Sequence, residues 1–121
     1  MKLLDSNILI YSFQPDYSFL RPLLIDADNV VSEIALVEVL GFHKLLPKEK
    51  NYFEILFNNL RIIPIDRNII NKAIELRQQK RISIGDAIGA SSALNYNCEF
   101  YTRNTDDFAW ILGLKVINPF V

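Results

Sequence analysis

A chain of 121 residues, half of them apolar, 22% charged and holding four Gly and five Pro, has the profile of one unit burying roughly two-thirds of its unfolded surface, not of a linker or disordered tail. A formal net charge of −1 excludes bulk electrostatic capture of nucleic acid, so any such binding has to be local. One cysteine, Cys98, excludes an internal disulfide; with the lone histidine, His43, it cannot supply the usual zinc sites, and no G-x-S-x-G accompanies a histidine base, so hydrolysis here would run on carboxylates.

In chain order, residues 2–4 read as a short strand that gives way at Asp5-Ser6-Asn7, all cap-forming types, to an apolar helical run over 8–13. Pro15 closes that helix. Residues 19–25 form a second short one, and Val30-Val31 a two-residue strand. Ser32 caps a helix over 33–46, with His43 inside it and Pro47 at its end; Pro47 in turn suits the first turn of a helix over 48–60. Residues 61–65 are β-rich, and Pro64 confines them to a sheet edge.

Asp66 caps the next helix, where Ile69, Ala73 and Leu76 recur at three- and four-residue spacing, flanked by Ile70 and Ile74, as one buried stripe. Ser83 caps a helix over 84–95. Residues 99–102 and 115–117 are two further strands, separated by a helical turn over 106–111. Strands alternating with helices predict an α/β layer fold around a mainly parallel sheet, one domain over residues 1–121 without repeats. The apolar runs 34–37 and 39–42 fall far short of the ~20 residues of a membrane span, and Asp5 interrupts the start of the chain where a secretory leader stays apolar. The expected location is the cytoplasm, with no membrane contact and with Cys98 an inert buried thiol.

Most acids lie on polar faces, but Asp5, Glu38 and Asp86 interrupt apolar runs, where a charge is costly unless paired or bound to metal. Asp5 also serves as a helix cap, and Ser83-x-x-Asp86 also reads as a capping box. Glu38 falls mid-helix with no capping role open to it. Asp106 and Asp107 follow the strand ending at Thr102 and equally suit a first helical turn. Ligands bind beyond the carboxyl ends of parallel strands; Asp5 and the Asp106-Asp107 pair lie there, and Glu38 and Asp86 can reach it from helices. Two carboxylates ~5 Å apart repel by roughly 3 kcal/mol at an effective dielectric near 20. An oxygen-only set relieves that repulsion with Mg²⁺ or Mn²⁺, and such a site suits phosphodiester hydrolysis. Local basic surface is available at Lys44, Lys48 and Lys50, at Arg77, Lys80 and Arg81, and at Arg103, each group equally readable as solvated charge.

Leu4-Asp5-Ser6-Asn7, Ser32-x5-Glu38, Ile84-Gly85-Asp86-Ala87-x-x-x-Ser91 and Thr102-Arg103-Asn104-x-x-Asp107-Phe108 resemble, in order, the four blocks of PIN domains, with closest likeness to VapC-type toxins. The resemblance spans the chain from Leu3 to Pro119. It implies a three-layer α/β/α sandwich and a Mg²⁺- or Mn²⁺-dependent endoribonuclease, usually dimeric and held in check by a small antitoxin. Asp5, Glu38 and Asp86 fall on the family's three firm acids. Asp107 matches a fourth, although some relatives carry that acid where Asn104 stands here, so Asp106, Asp107 and Asn104 all stay candidates. Ser6 and Thr102 match hydroxyl residues that support the site. The rival readings are a non-catalytic PIN-like module that binds RNA or protein, a phospho-aspartate domain, against which Asp5-Ser6-Asn7 lacks a D-x-D pattern, and a DNA endonuclease of the same chemistry. The apolar segment 19–25 offers a surface for a dimer partner or an antitoxin.

Overall fold

A computed structural model describes residues Met1–Phe120; Val121, the last residue of the expected domain, lies outside the described residues. Five strands, β1 (Lys2–Leu4), β2 (Asn29–Ser32), β3 (Arg61–Ile63), β4 (Glu99–Tyr101) and β5 (Val116–Ile117), form one sheet in the order β3-β2-β1-β4-β5, with every neighbouring pair parallel. Among the described residues six α-helices, α1 (Ser6–Ser12), α2 (Arg21–Leu24), α3 (Ile34–Leu40), α4 (Pro47–Asn58), α5 (Arg67–Gln79) and α6 (Ile84–Asn95), cover its two faces.

The period of two along each strand divides the core. Leu3, Val30, Ile63 and Phe100 face a layer built from α5 and α6, with Ile69, Leu76, Ala90 and Phe108 in contact. Leu4 and Val31 face the other way, onto Ile8, Leu24, Val39, Phe53 and Phe57 of α1 to α4. The result is the expected three-layer α/β/α sandwich with a parallel sheet. The chain runs outward from β1 to β2 and β3, then crosses back to lay β4 on the other side of β1. The crevice beyond the ends of β1 and β4 is therefore the switch point where open α/β sheets bind ligands.

Several local expectations are corrected. The helix predicted over 33–46 stops at Leu40, with Gly41 at its C-cap. Ala35 and Val39 are buried, but Phe42 and Leu46, which continue their spacing, are exposed; beyond the small, flexible Gly41 there is no core for the stripe to meet. His43 therefore sits exposed in a turn and not in a helix. The first helix does end ahead of Pro15, but Pro15 also opens a 3₁₀ turn (Pro15–Leu20), and α2 follows it, so the segment 19–25 is two short pieces. The first helix starts at Ser6, two residues early. The strand at Val30-Val31 extends to Asn29–Ser32. The strand over 61–65 ends at Ile63, just before Pro64, and lies at the sheet edge as expected. The turn over 106–111 is a 3₁₀ turn at Thr105–Asp107. Cys98 is a buried free thiol, and among the described residues no helix is long and apolar enough to cross a membrane.

Candidate metal centre

Asp5 terminates β1. Its backbone is extended and its N–H donates to the Tyr101 carbonyl of β4 at 2.9 Å, so the side chain emerges at the switch point. One carboxylate oxygen, Oδ1, accepts from the Ser6 N–H at 2.8 Å and caps α1; the other, Oδ2, accepts from the Thr102 hydroxyl at 2.8 Å. One oxygen thus caps α1 while the other is held by Thr102, so the helix cap and the candidate site share one carboxylate. Thr102 is fully buried, and its N–H donates to the Ile117 carbonyl at 2.9 Å. Its Oγ1 also accepts from the Asn7 side-chain amide at 3.3 Å and the Asn104 N–H at 3.2 Å. Thr102 is therefore the junction of β1, β4 and the loop that follows β4.

Burial pushes the Asp5 carboxyl up to about 6; the Thr102 hydroxyl opposes the rise, the Asp86 charge adds to it, and the Ser6 N–H opposes it. Glu38 projects from α3 at the rim of the crevice. Its carboxylate lies against Gly85, so closely that a β-carbon there would overlap Oε2. Partial desolvation raises the Glu38 carboxyl, with the charges of Asp5 and Asp86 acting the same way and a hydrogen bond with Ser6 opposing them. Asp86 stands in the first turn of α6, its N–H donating to the Ser83 hydroxyl at 3.1 Å; this is the Ser83 cap read from the sequence, but only half of the expected capping box, and the Asp86 carboxylate is left for the crevice. Desolvation raises the Asp86 carboxyl too; the Ser83 hydroxyl opposes that shift and the Asp107 charge reinforces it.

The fold thus brings Asp5, Glu38 and Asp86 within electrostatic reach of one another, with Ser6 beside Glu38 and Thr102 on Asp5. Asp107 reaches the group through Asp86 alone. Asp106 and Asp107 are exposed on the 3₁₀ turn and line a cavity of about 380 Å³ with Asp86. Asn104 meets the site through its main-chain N–H on Thr102. Among the described residues no three of His, Cys, Asp and Glu stand close enough to enclose a metal ion by themselves. What the crevice offers is mutually repelling carboxylates whose donors are all oxygen, a set whose chemistry fits a hard divalent cation and does not fit zinc or copper.

Three contributors lay outside the sequence reading. Gly85 provides the space in which the Glu38 carboxylate rests; its position beside Asp86 was the available signal. Asn7, read as a cap-forming residue and as part of the first family block but given no role, orients Thr102 while its buried Oδ1 has no partner. Trp110 lines the cavity of Asp86 and Asp107, and its apolar neighbours in sequence, Ala109 and Ile111, pointed to a core residue and gave no hint of it. An apolar groove of about 510 Å³ lies elsewhere, lined by Leu24, Ile25, Tyr52, Ile55 and Leu56, and it includes the end of the segment 19–25 expected to meet a partner.

The PIN domain family model matches residues 2–111. A toxin–antitoxin complex from Klebsiella pneumoniae contains a chain that is 30% identical, with 98% of this chain and 98% of that chain covered and a TM-score of 0.79. VapBC2 from Rickettsia felis, bound to a DNA fragment from its promoter, is similar at 25% identity, 97% coverage of each chain and a TM-score of 0.79. FitAcB from Neisseria gonorrhoeae is similar at 25% identity, 99% coverage of each chain and a TM-score of 0.78. No curated protein matches the sequence.

Proposed function

The chain belongs to the PIN domain family, and on that premise we propose that it is the toxin of a toxin–antitoxin pair, a Mg²⁺- or Mn²⁺-dependent endoribonuclease that hydrolyses RNA phosphodiester bonds in the cytoplasm. The observation that supports the reading is that Asp5, Glu38 and Asp86, remote in sequence, flank one crevice at the switch point, the Glu38 carboxylate lying on Gly85 next to Asp86 and within reach of the Asp5 charge. Family membership brings the nuclease class; the oxygen-only donor set argues for the cation.

Asp5, Glu38 and Asp86 would hold the cation, and Asp107 would assist from the 3₁₀ turn. When bound, that ion supplies positive charge that activates a water and neutralises the phosphoryl oxygens and the leaving group. The remaining residues set the geometry. The Thr102 hydroxyl and Ser6 N–H fix both oxygens of Asp5, so its carboxylate cannot rotate away from the crevice. Ser6 steadies Glu38, and the Ser83 cap holds the first turn of α6 and with it Asp86.

The proposed partners are an RNA substrate, a cognate antitoxin and a second copy of the chain. The antitoxin rests on the toxin–antitoxin complexes that this chain resembles.

The test is cleavage of mixed cellular RNA, and of DNA in parallel, with Mg²⁺ or Mn²⁺ and with chelator. Metal-dependent cutting of RNA is expected, lost in Asp5→Asn and in Asp86→Asn while circular dichroism is unchanged. Cutting retained by both variants would remove the assignment, and RNA binding without cutting would favour the non-catalytic module.

A further inference from the structure

Resting on that nuclease reading, we propose that Lys80 and Arg81 form a seat for a backbone phosphate of single-stranded RNA next to the catalytic acids, with Trp110 as the residue that positions Lys80. Both cations line the same cavity of about 380 Å³ as Asp86, Asp106 and Asp107. A strand of RNA that brings one phosphate to the carboxylates meets strong repulsion there. A neighbouring phosphate needs local positive charge, which a chain of net charge −1 cannot supply in bulk.

The two side chains are available for that purpose. Among the described residues the ion pairs are Met1 amino group to Asp28, Lys2 to Asp26, Lys72 to Glu75 and Lys115 to Glu99, so neither Lys80 nor Arg81 is neutralised by the acids that share its cavity. The connection that carries them is pinned, and the Lys80 ammonium is held in place. The Arg77 Nε–H donates to the Ile82 carbonyl at 3.1 Å, which pins the connection between α5 and α6. The Lys80 ammonium sits 5.7 Å from the centroid of the Trp110 ring, within cation–π range. That indole is anchored in turn, its Nε1–H donating to the Asp107 carbonyl at 2.9 Å. One chain of contacts therefore runs from the turn bearing Asp107 through Trp110 to Lys80. Of the other basic groups in the sequence, lysines 44, 48 and 50 line none of the cavities described above, and the Arg103 guanidinium is stacked over Tyr11, Tyr17 and Phe120.

Binding of a fluorescent single-stranded oligoribonucleotide to cleavage-silent Asp5→Asn protein tests the seat. Adding Lys80→Gln/Arg81→Gln should weaken affinity about tenfold and flatten the plot of log affinity against log salt by ~0.7 for each phosphate contact removed. Lys48→Gln/Lys50→Gln, which removes the same charge elsewhere, should leave both nearly unchanged. The exchange Lys80→Arg/Arg81→Lys should preserve binding, and in protein with all acids intact Lys80→Gln/Arg81→Gln should raise KM with little effect on kcat. Unchanged affinity in the cavity variant of a protein that does bind and cut RNA overturns the seat and leaves the nuclease reading standing. Equal losses in the two double variants reduce the effect to bulk charge and also overturn it. Unsubstituted protein that neither binds nor cuts RNA removes the nuclease reading and the seat together.

Discussion

The Glu38 carboxylate rests on the bare α-carbon of Gly85, whose added β-carbon would stand 3.0 Å from the carboxyl carbon and overlap Oε2. The glycine is thus part of the site through what it lacks, since any side chain there pushes the acid off the crevice. Glu38 is long and stands at the rim, so it can swing aside without disturbing the core. Gly85→Ala should fold normally and gain up to about 1 kcal/mol from helix propensity. RNA cleavage should fall by about 100-fold, the scale of an ångström's misplacement. Full activity in a Gly85→Ala protein, measured beside its urea midpoint, would show that Glu38 need not occupy this place.

Thr102 carries a different burden because three groups converge on one buried hydroxyl. Thr102→Val keeps the shape and removes that oxygen, leaving the Asn7 amide and the Asn104 N–H without their acceptor and Asp5 Oδ2 without its donor. A loss of about 1–3 kcal/mol in chemical denaturation is expected. The hydroxyl holds the Asp5 carboxyl down against burial, so its removal should move the acidic limb of the cleavage profile to higher pH. Thr102→Ser should restore both readings.

Asp5 and Asp86 stood out in the sequence because each breaks an apolar run, and the helix caps at their places, Asp5 itself and Ser83, could be read there too; α6 falls on the span expected for it. The end of α3 did not stand out. Ala35, Val39, Phe42 and Leu46 keep helical spacing, and only the absence of a core beyond Gly41 separates the buried pair from the exposed pair. Pro15 was read as a stop, and α1 does end before it; the turn it starts was not read, although the same fixed φ serves both. The partnership of Gly85 with Glu38 and of Lys80 with Trp110 depends on packing between elements far apart in the chain, which no local pattern encodes. Alternation within β1 showed more: Leu3 and Leu4 point into opposite cores, as period two requires.

Phe108 follows the acidic turn directly and is buried against Phe100, ring centroids 4.8 Å apart and edge to face. It fastens the 3₁₀ turn bearing Asp106 and Asp107 to β4. Phe108→Ala should cost about 3–5 kcal/mol in urea unfolding, and Phe108→Leu considerably less. If Asp107 assists cleavage, Phe108→Leu should also lower kcat at full folding, because the turn loses its anchor. Identical kcat in Phe108→Leu and unsubstituted protein would separate Asp107 from the reaction.

The raised carboxyl of Asp5 makes stability and activity respond to pH in opposite directions. Its value in the fold is about 6 against an ordinary 3.8, so the native state binds its proton more tightly than the unfolded chain does. That contribution is full below about pH 3.8 and is lost as pH rises through about 6, on the order of 3 kcal/mol without metal. Glu38 and Asp86 are raised as well and act in the same sense. Chelator-treated protein should therefore lose stability between about pH 4 and 7, a loss that Asp5→Asn reduces. On the proposed reading Mg²⁺ or Mn²⁺ is held by the ionised native cluster, and either ion should then raise the melting temperature at pH 8 and do little at pH 4.5. Cleavage should fall as pH drops through about 6, where Asp5 takes up its proton. A melting temperature at pH 8 unmoved by millimolar Mg²⁺ and Mn²⁺, alongside pH-independent stability in chelator, would mean that these three acids neither strain the fold nor hold a cation.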